Sequence, residues 1–102
     1  MTVLDQTITK INTGLAALGH EKQALTYLEQ ANSLEGQAQR EALQAARKEQ
    51  ADAIRCWTML VLLHKSNREA SAIYRTEQKT SAGFLTAIDE LLGDSPQVDS
   101  LR

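Results

Sequence analysis

Large hydrophobic residues at the start of the chain recur with alternating spacings of four and three. They are Leu4, Ile8, Ile11, Leu15 and Leu18. This repeat is typical of a helix that packs against another helix. Thr2 followed by Asp5 predicts a capping box at the helix start, because the two side chains can satisfy free backbone N–H groups. Gly19 predicts the helix end, since glycine adopts the left-handed conformation that terminates helices. We therefore expect a helix over residues 2–18.

A second helix is expected to begin at His20 or Glu21, with His20 itself in the turn. Its inward residues would be Ala24, Leu25, Leu28 and Ala31. Ser33 and Gly36 favour a break after this helix. A continuous helix is the alternative, because alanines keep a helical phase across the break and a glycine inside a helix costs only about 1 kcal/mol.

The segment from Gln37 to His64 predicts a long helix whose second half is apolar on every side. Its inward residues would be Leu43, Ala46, Gln50, Ala53, Trp57, Leu60 and His64. A helix that is apolar all round must be covered all round, by a central position in the fold, a second subunit or a bound partner. We expect self-association through four of its residues, and the alternative is that they form the monomer core. These four are Trp57, Met59, Leu60 and Leu63.

A last helix is expected to begin at a second capping box, Ser66 with Glu69, and to end at Gly93. Its inward positions would be Ala70, Tyr74, Glu77, Ser81, Phe84, Ile88 and Leu91. Glu77 and Ser81 interrupt this stripe, which indicates a bend, a polar contact or a pocket for another chain. The chain is thus expected to be an all-α antiparallel bundle or hairpin of three to four helices, one or two of them long. Residues 1–93 would form one domain and residues 94–102 a disordered tail.

Composition agrees with this fold class and excludes several others. Aromatic residues make up 4% of the 102 residues and Pro96 is the one proline, which argues against a sheet protein. Cys56 is the single cysteine, so no intrachain disulfide can form and a reducing compartment is expected. The longest apolar run, Cys56 to Leu63, is far shorter than the about 20 residues that cross a bilayer. With no signal peptide recognised, we expect a cytoplasmic protein that does not enter a membrane.

The residues that could carry chemistry are few and widely spaced. His20, His64 and Cys56 do not follow the clustered spacing of metal ligands, so neither a metal nor a cofactor is expected. Cys56 and His64 are about 12 Å apart along a helix axis, too far for direct proton transfer. The carboxylate pair Glu49 and Asp52 is explained as solvated helix surface. We therefore expect that the protein is not an enzyme.

A basic stripe suggests a different class of function. The net charge is −2, which makes nucleic acid an unlikely partner for the whole chain. Residues 37–79 nevertheless carry eight Lys or Arg against five acidic residues. Arg68, Arg75 and Lys79 recur on one helical face. The alternative function is therefore a small regulatory or accessory protein that binds nucleic acid, or an enzyme acting on it, through this stripe.

The last forty residues resemble the C-terminal half of flagellar and type III export chaperones of the hook-associated-protein class. The resemblance rests on the run Leu60–Leu63, then Asn67, then a long helix that ends in Ile88, Leu91, Leu92 and Gly93. It implies a small helical protein whose C-terminal helix supplies a groove for a client's terminal helix. The client-contacting positions would be Ile73, Phe84, Ile88, Leu91 and Leu92. The expected function is thus that of a non-enzymatic chaperone or adaptor that captures a partner's amphipathic helix.

Overall fold

The computed structural model describes residues 2–93, which form three long α-helices joined by two short connections. Helix α1 spans Val3–Asn32, α2 spans Gly36–Leu63 and α3 spans Arg68–Leu92. Within residues 2–93 there is no strand, so the predicted all-α bundle is confirmed. The expected tail, residues 94–102, lies outside the described residues.

Helix α1 begins where the sequence predicts but ends much later. Thr2 and Asp5 form the capping box: the Thr2 hydroxyl accepts a hydrogen bond from the Asp5 backbone N–H at 3.0 Å, and the Asp5 carboxylate accepts one from the Thr2 backbone N–H at 3.3 Å. The predicted end at Gly19 is wrong, as is the turn at His20, because the helix continues through both residues to Asn32. Gly19 costs about 1 kcal/mol inside a helix, and burial of Ala24 and Ala31 beyond it offsets this cost.

The two breaks between helices are confirmed, with one cap displaced. Gly36 begins α2 with a φ of 60°, in the left-handed region that favours glycine. The cap of α3 is Asn67 rather than the predicted Ser66, because Asn67 has the extended backbone of a cap and its side chain accepts a hydrogen bond from the Ala70 N–H at 3.1 Å. Gly93 ends α3 with a φ of 67°, as expected.

Helix α2 is the central element of the fold. It packs along α1 on one side and along α3 on the other, whereas α1 and α3 run parallel and barely touch. The first turns of α2 also hold the ends of both neighbours. The Gln39 amide donates to the Ala31 carbonyl at 3.1 Å, and the Arg40 guanidinium donates to the Leu92 carbonyl at 3.0 Å. The central position covers only part of the apolar second half of α2: Trp57 and Leu60 are buried, whereas Met59 is 49% and Leu62 59% exposed.

Buried alanines are prominent on the packed faces of α1 and α2. Ala17, Ala24 and Ala31 of α1 are buried at intervals of seven residues, and α2 also carries three buried alanines: Ala42, Ala46 and Ala53. Small side chains let two helix backbones approach closely. The buried residues form two apolar clusters, one of Ala17 with Trp57 and Leu60, the other of Ala46 with Ile88 and Leu92.

The leucine and isoleucine stripe of α1, whose spacing predicts packing on another helix, is on the surface of the chain. Its five side chains, Leu4, Ile8, Ile11, Leu15 and Leu18, are between 46% and 67% exposed. Within the single chain no helix covers this stripe, because α2 packs on the opposite side of α1, which carries the buried alanines. No helix within residues 2–93 is long and apolar enough to cross a membrane.

Candidate functional site

An open groove lies between α1 and α3, above α2. Its volume is about 530 Å³. Its walls are mainly apolar, and its lining comprises Ala24, Leu25 and Leu28 from α1 and Phe84, Ala87, Ile88 and Leu91 from α3, with Glu21, Gln50, Glu77 and Thr80 as the polar members. The groove exists because the two outer helices pack on α2 but hardly on each other.

Helix α3 reaches the groove because it carries two neighbouring stripes. Ser81, Ile88 and Leu92 belong to the buried stripe against α2. Glu77, Phe84 and Leu91 form a second stripe at seven-residue intervals and line the groove. The residues predicted to point inward on α3 came from both stripes. Three of them are exposed and belong to the groove wall rather than the core: Glu77, Phe84 and Leu91.

A buried polar layer marks one end of the groove. Gln50 of α2 is 4% exposed and Ser81 of α3 is fully buried, and the Gln50 amide donates to the Ser81 carbonyl at 3.1 Å. The Ser81 hydroxyl donates to the carboxylate of Glu21 on α1. The Trp57 indole N–H donates to the same Glu21 oxygen at 3.3 Å. The interruption of the α3 stripe at Ser81 is thus a polar contact that joins all three helices.

The five residues expected to contact a client do not lie together. Phe84 and Leu91 are exposed on the groove wall, and Ile88 lies at its base with only 2% of its surface exposed. Ile73 is exposed but is not part of the groove lining, and Leu92 is buried in the cluster with Ala46. Leu92 is thereby corrected from a contact residue to a core residue.

The opposite wall was not predicted as a site. Leu25 of α1 is exposed and Leu28 is half-buried there, although both were expected to point inward. A signal for Leu25 exists in the sequence, because it continues the seven-residue series of Leu4, Ile11 and Leu18.

Two of the residues expected to mediate self-association belong to the monomer core. Trp57 and Leu60 pack against Ala17, and the ring of Tyr74 stacks on Trp57 with centroids 6.1 Å apart. These two side chains have no free surface to offer a second copy, so for them the monomer-core alternative holds. Met59 is exposed and Leu63 is half-buried.

The basic stripe is on the surface of α3. Arg68, Arg75 and Lys79 are all exposed, and their spacing places them on one side of the helix. Glu77 lines the groove on the opposite side of α3, and Glu69 is about 100° around the helix from the stripe. The structure therefore presents the three basic residues on an exposed face separate from the groove.

One cluster of potential metal ligands was missed because its members come from two helices. His20 of α1 and Glu49 and Asp52 of α2 bring ligand atoms within 4.8 Å of one another. His20 Nδ1 lies 2.6 Å from the Glu49 carboxylate, and Asp52 accepts a hydrogen bond from Arg55 at 2.8 Å. Both carboxylates therefore already have hydrogen-bond partners within the protein.

Two further titratable groups, Cys56 and His64, have pKa values shifted by their surroundings. Burial, together with the negative charge of Asp52, raises the pKa of the Cys56 thiol, which keeps it in the protonated form that is a weak nucleophile. Burial, together with the positive charge of Lys10, lowers the pKa of His64. The His64 ring lies against Tyr74, with centroids 4.9 Å apart.

Comparisons of the chain with protein-family models, curated proteins and solved structures find no match.

Proposed function

We propose that the protein is a non-enzymatic helix-binding protein, an export-chaperone-like or adaptor protein that captures a partner's amphipathic helix in the groove between α1 and α3. One observation carries the proposal: two parallel helices leave an apolar groove open between them. Leu25, Phe84 and Leu91 are each more than half exposed along it. A fourth helix laid in the groove would cover these side chains and complete a four-helix arrangement.

The dimensions of the groove indicate the kind of helix that fits. From Glu77 to Leu91 the α3 wall spans about 21 Å, which is close to four helical turns. The partner would present apolar residues at i, i+3 or i+4, and i+7. Glu21 and Glu77 line one end of the groove, so a partner with Lys or Arg near that end would be favoured.

The resemblance to export chaperones supports the same proposal, because it implies that the C-terminal helix supplies the client groove. Here α3 forms one wall, through Phe84 and Leu91. The single cysteine, Cys56, supports a reducing compartment such as the cytoplasm.

The test is selection from a displayed library of amphipathic helices, followed by fluorescence anisotropy with the selected peptides. Phe84→Asp should weaken binding at least about tenfold, which corresponds to about 1.4 kcal/mol. Leu62→Asp is the matched control, since Leu62 is also exposed but lies on α2 outside the groove. Ile88→Asp is unsuitable, because Ile88 is buried and its replacement would unfold the chain. Equal binding by the two variants, or failure to select any helical peptide, would contradict the proposal.

The alternative function, binding of nucleic acid through Arg68, Arg75 and Lys79, is supported by their shared exposed face. Binding through phosphate contacts alone would weaken steeply with salt. A duplex titrated at low and high ionic strength, with wild type and with Arg75→Glu, decides this alternative. Absence of any binding at low salt would exclude it.

A further inference from the structure

The first half of helix α1, before the groove begins, carries an apolar stripe in the same seven-residue series that Leu25 continues into the groove wall. We call it the α1 stripe, and it consists of Leu4, Ile8, Ile11, Leu15 and Leu18. None of these residues lines the groove of the proposed function. Successive helix residues are rotated by about 100°, so the stripe is centred about 160° away from the alanine face that packs on α2. Helix α1 therefore has α2 on one side and an exposed apolar stripe on the other, and the inner edge of this stripe, at Ile11, Leu15 and Leu18, borders a shallow depression shared with Trp57 and Tyr74.

We propose that a second copy of this chain covers the α1 stripe, with the two α1 helices antiparallel. The four-three spacing is that of a seam between two packed helices, and a stripe on one helix can pair with itself through a two-fold axis. With the axis at the level of Thr13, Ile8 lies opposite the partner's Leu18, and Ile11 lies opposite the partner's Leu15. All five stripe residues are then covered.

Charge complementarity selects the antiparallel orientation. Lys22 continues the spacing of the stripe by one step. In the antiparallel register it lies against the partner's Leu4 and next to Asp5 of the partner subunit. In a parallel pair Lys22 would face the partner's Lys22, and like charges at such positions repel. Four of the six residues that flank the stripe are small or uncharged and permit close approach, namely Thr7, Asn12, Gly14 and Gly19, and the other two are Asp5 and Glu21.

The size of the stripe also fits a dimer. Five large aliphatic side chains, each about half exposed, match the largest apolar patches of soluble monomers, about 300–600 Å². Two such patches face to face bury about 600–1,200 Å², which is near the roughly 1,000 Å² lower limit of a biological interface and corresponds to a weak dimer. A dimer that dissociates at low concentration is the expected behaviour.

Sedimentation equilibrium across a concentration series tests the proposal. Wild type should be dimeric at high concentration, and Leu15→Glu should be monomeric at the same concentration. Leu62→Glu is the matched control, because Leu62 is 59% exposed and Leu15 is 62% exposed. This control should remain dimeric. A monomeric wild type at about 100 µM, or equal dissociation of the two variants, overturns the proposal.

A variant that strengthens the dimer gives a second test, which does not depend on whether Leu15→Glu folds. Lys22→Leu extends the stripe onto the partner's Leu4 and should tighten the dimer about tenfold. An unchanged dissociation constant for Lys22→Leu would contradict the register.

Orientation is tested by cross-linking in a Cys56→Ala background. In the antiparallel pair the two copies of residue 12 are about 3 Å apart along the axis, whereas those of residue 19 are about 18 Å apart. Asn12→Cys should therefore form a disulfide-linked dimer and Gly19→Cys should not. A cross-link at residue 19, or at neither position, overturns the antiparallel pairing.

Discussion

Ser81 on α3 donates a hydrogen bond to the carboxylate of Glu21 on α1, and so joins the two helices that flank the groove. The Ser81 hydroxyl is fully buried, whereas Glu21 is only half-buried and also lines the groove. The same carboxylate accepts the Trp57 indole N–H. The separation of the two groove walls is therefore fixed at one end by a polar contact, while the other end is bounded by apolar side chains.

Glu21→Ala should destabilise the protein by about 1–3 kcal/mol, because two buried donors lose their acceptor. Glu21→Gln keeps an oxygen acceptor and should cost less. Urea unfolding followed by circular dichroism measures the difference. Glu29→Ala, at an exposed position of the same helix, serves as the control and should change stability little. Equal effects of Glu21→Ala and Glu29→Ala would show that the polar layer does not contribute.

Ala17→Leu should destabilise the fold by about 1–3 kcal/mol, because extra methyl groups cannot fit in the close contact between α1 and α2. Ala17 is fully buried there. Ala16→Leu is the neighbouring control, since Ala16 is exposed and should tolerate the change. Thermal unfolding of the pair checks this. A stable Ala17→Leu variant would mean that the two helices are farther apart than described.

Stability should fall as the pH drops below about 6.5, the ordinary pKa of histidine. Because burial and Lys10 lower the pKa of His64 in the folded protein, the unfolded chain binds the proton more tightly. The stabilisation is complete above pH 6.5 and is lost as the pH falls toward the lowered pKa. Urea unfolding of wild type and His64→Gln between pH 5 and 8 measures it, and the variant should lack this component. An NMR titration that places His64 at or above 6.5 would contradict the prediction.

Cys56 should react with iodoacetamide more slowly in the folded protein than in urea, because burial and Asp52 raise the thiol pKa and so deplete the thiolate. Asp52→Asn removes the negative charge and should speed the reaction of the folded protein. Mass spectrometry at a series of times gives both rates. A folded rate equal to the unfolded one would show that Cys56 is open to solvent.

Two glycines should respond in opposite directions to replacement by alanine. Gly36→Ala should destabilise by about 1 kcal/mol, since Gly36 has a φ of 60°. Gly83 lies inside α3, where an added Cβ meets no atom within 4 Å. Gly83→Ala should therefore stabilise by about 0.5–1 kcal/mol. Chemical denaturation of the two variants measures the change in the free energy of unfolding. A change of the same sign in both would contradict the backbone conformations described for Gly36 and Gly83.

Features that depend on local chemistry could be predicted from the sequence. The Thr2–Asp5 capping box, the break near Gly36 and the end at Gly93 each depend on a few neighbouring residues. The predicted helix end at Gly19 is wrong because glycine destabilises a helix by only about 1 kcal/mol. Packing of the turns after Gly19 stabilises the helix by more than this amount.

The faces of the helices could not be predicted in the same way. Periodicity shows that α1 has a stripe of leucine and isoleucine, but it does not show which neighbour covers the stripe. Helix α2 packs on Ala17, Ala24 and Ala31 instead, since close backbone approach depends on small side chains. The sequence predicted one wall of the groove, through Phe84 and Leu91, but not the other. Leu25 on the other wall lies more than fifty residues away in sequence, and no local pattern links it to Phe84 or Leu91.

The central place of α2 has a consequence for how the chain folds. Each outer helix packs on the element next to it in sequence, so most of the packing lies within one of two helical hairpins. Helical bundles with this topology are expected to fold within about microseconds to milliseconds. The protein is in effect two helical hairpins that share one arm. Detachment of one outer helix would leave the other docked on α2, and it would open the cleft only by breaking the hydrogen bond between Ser81 and Glu21.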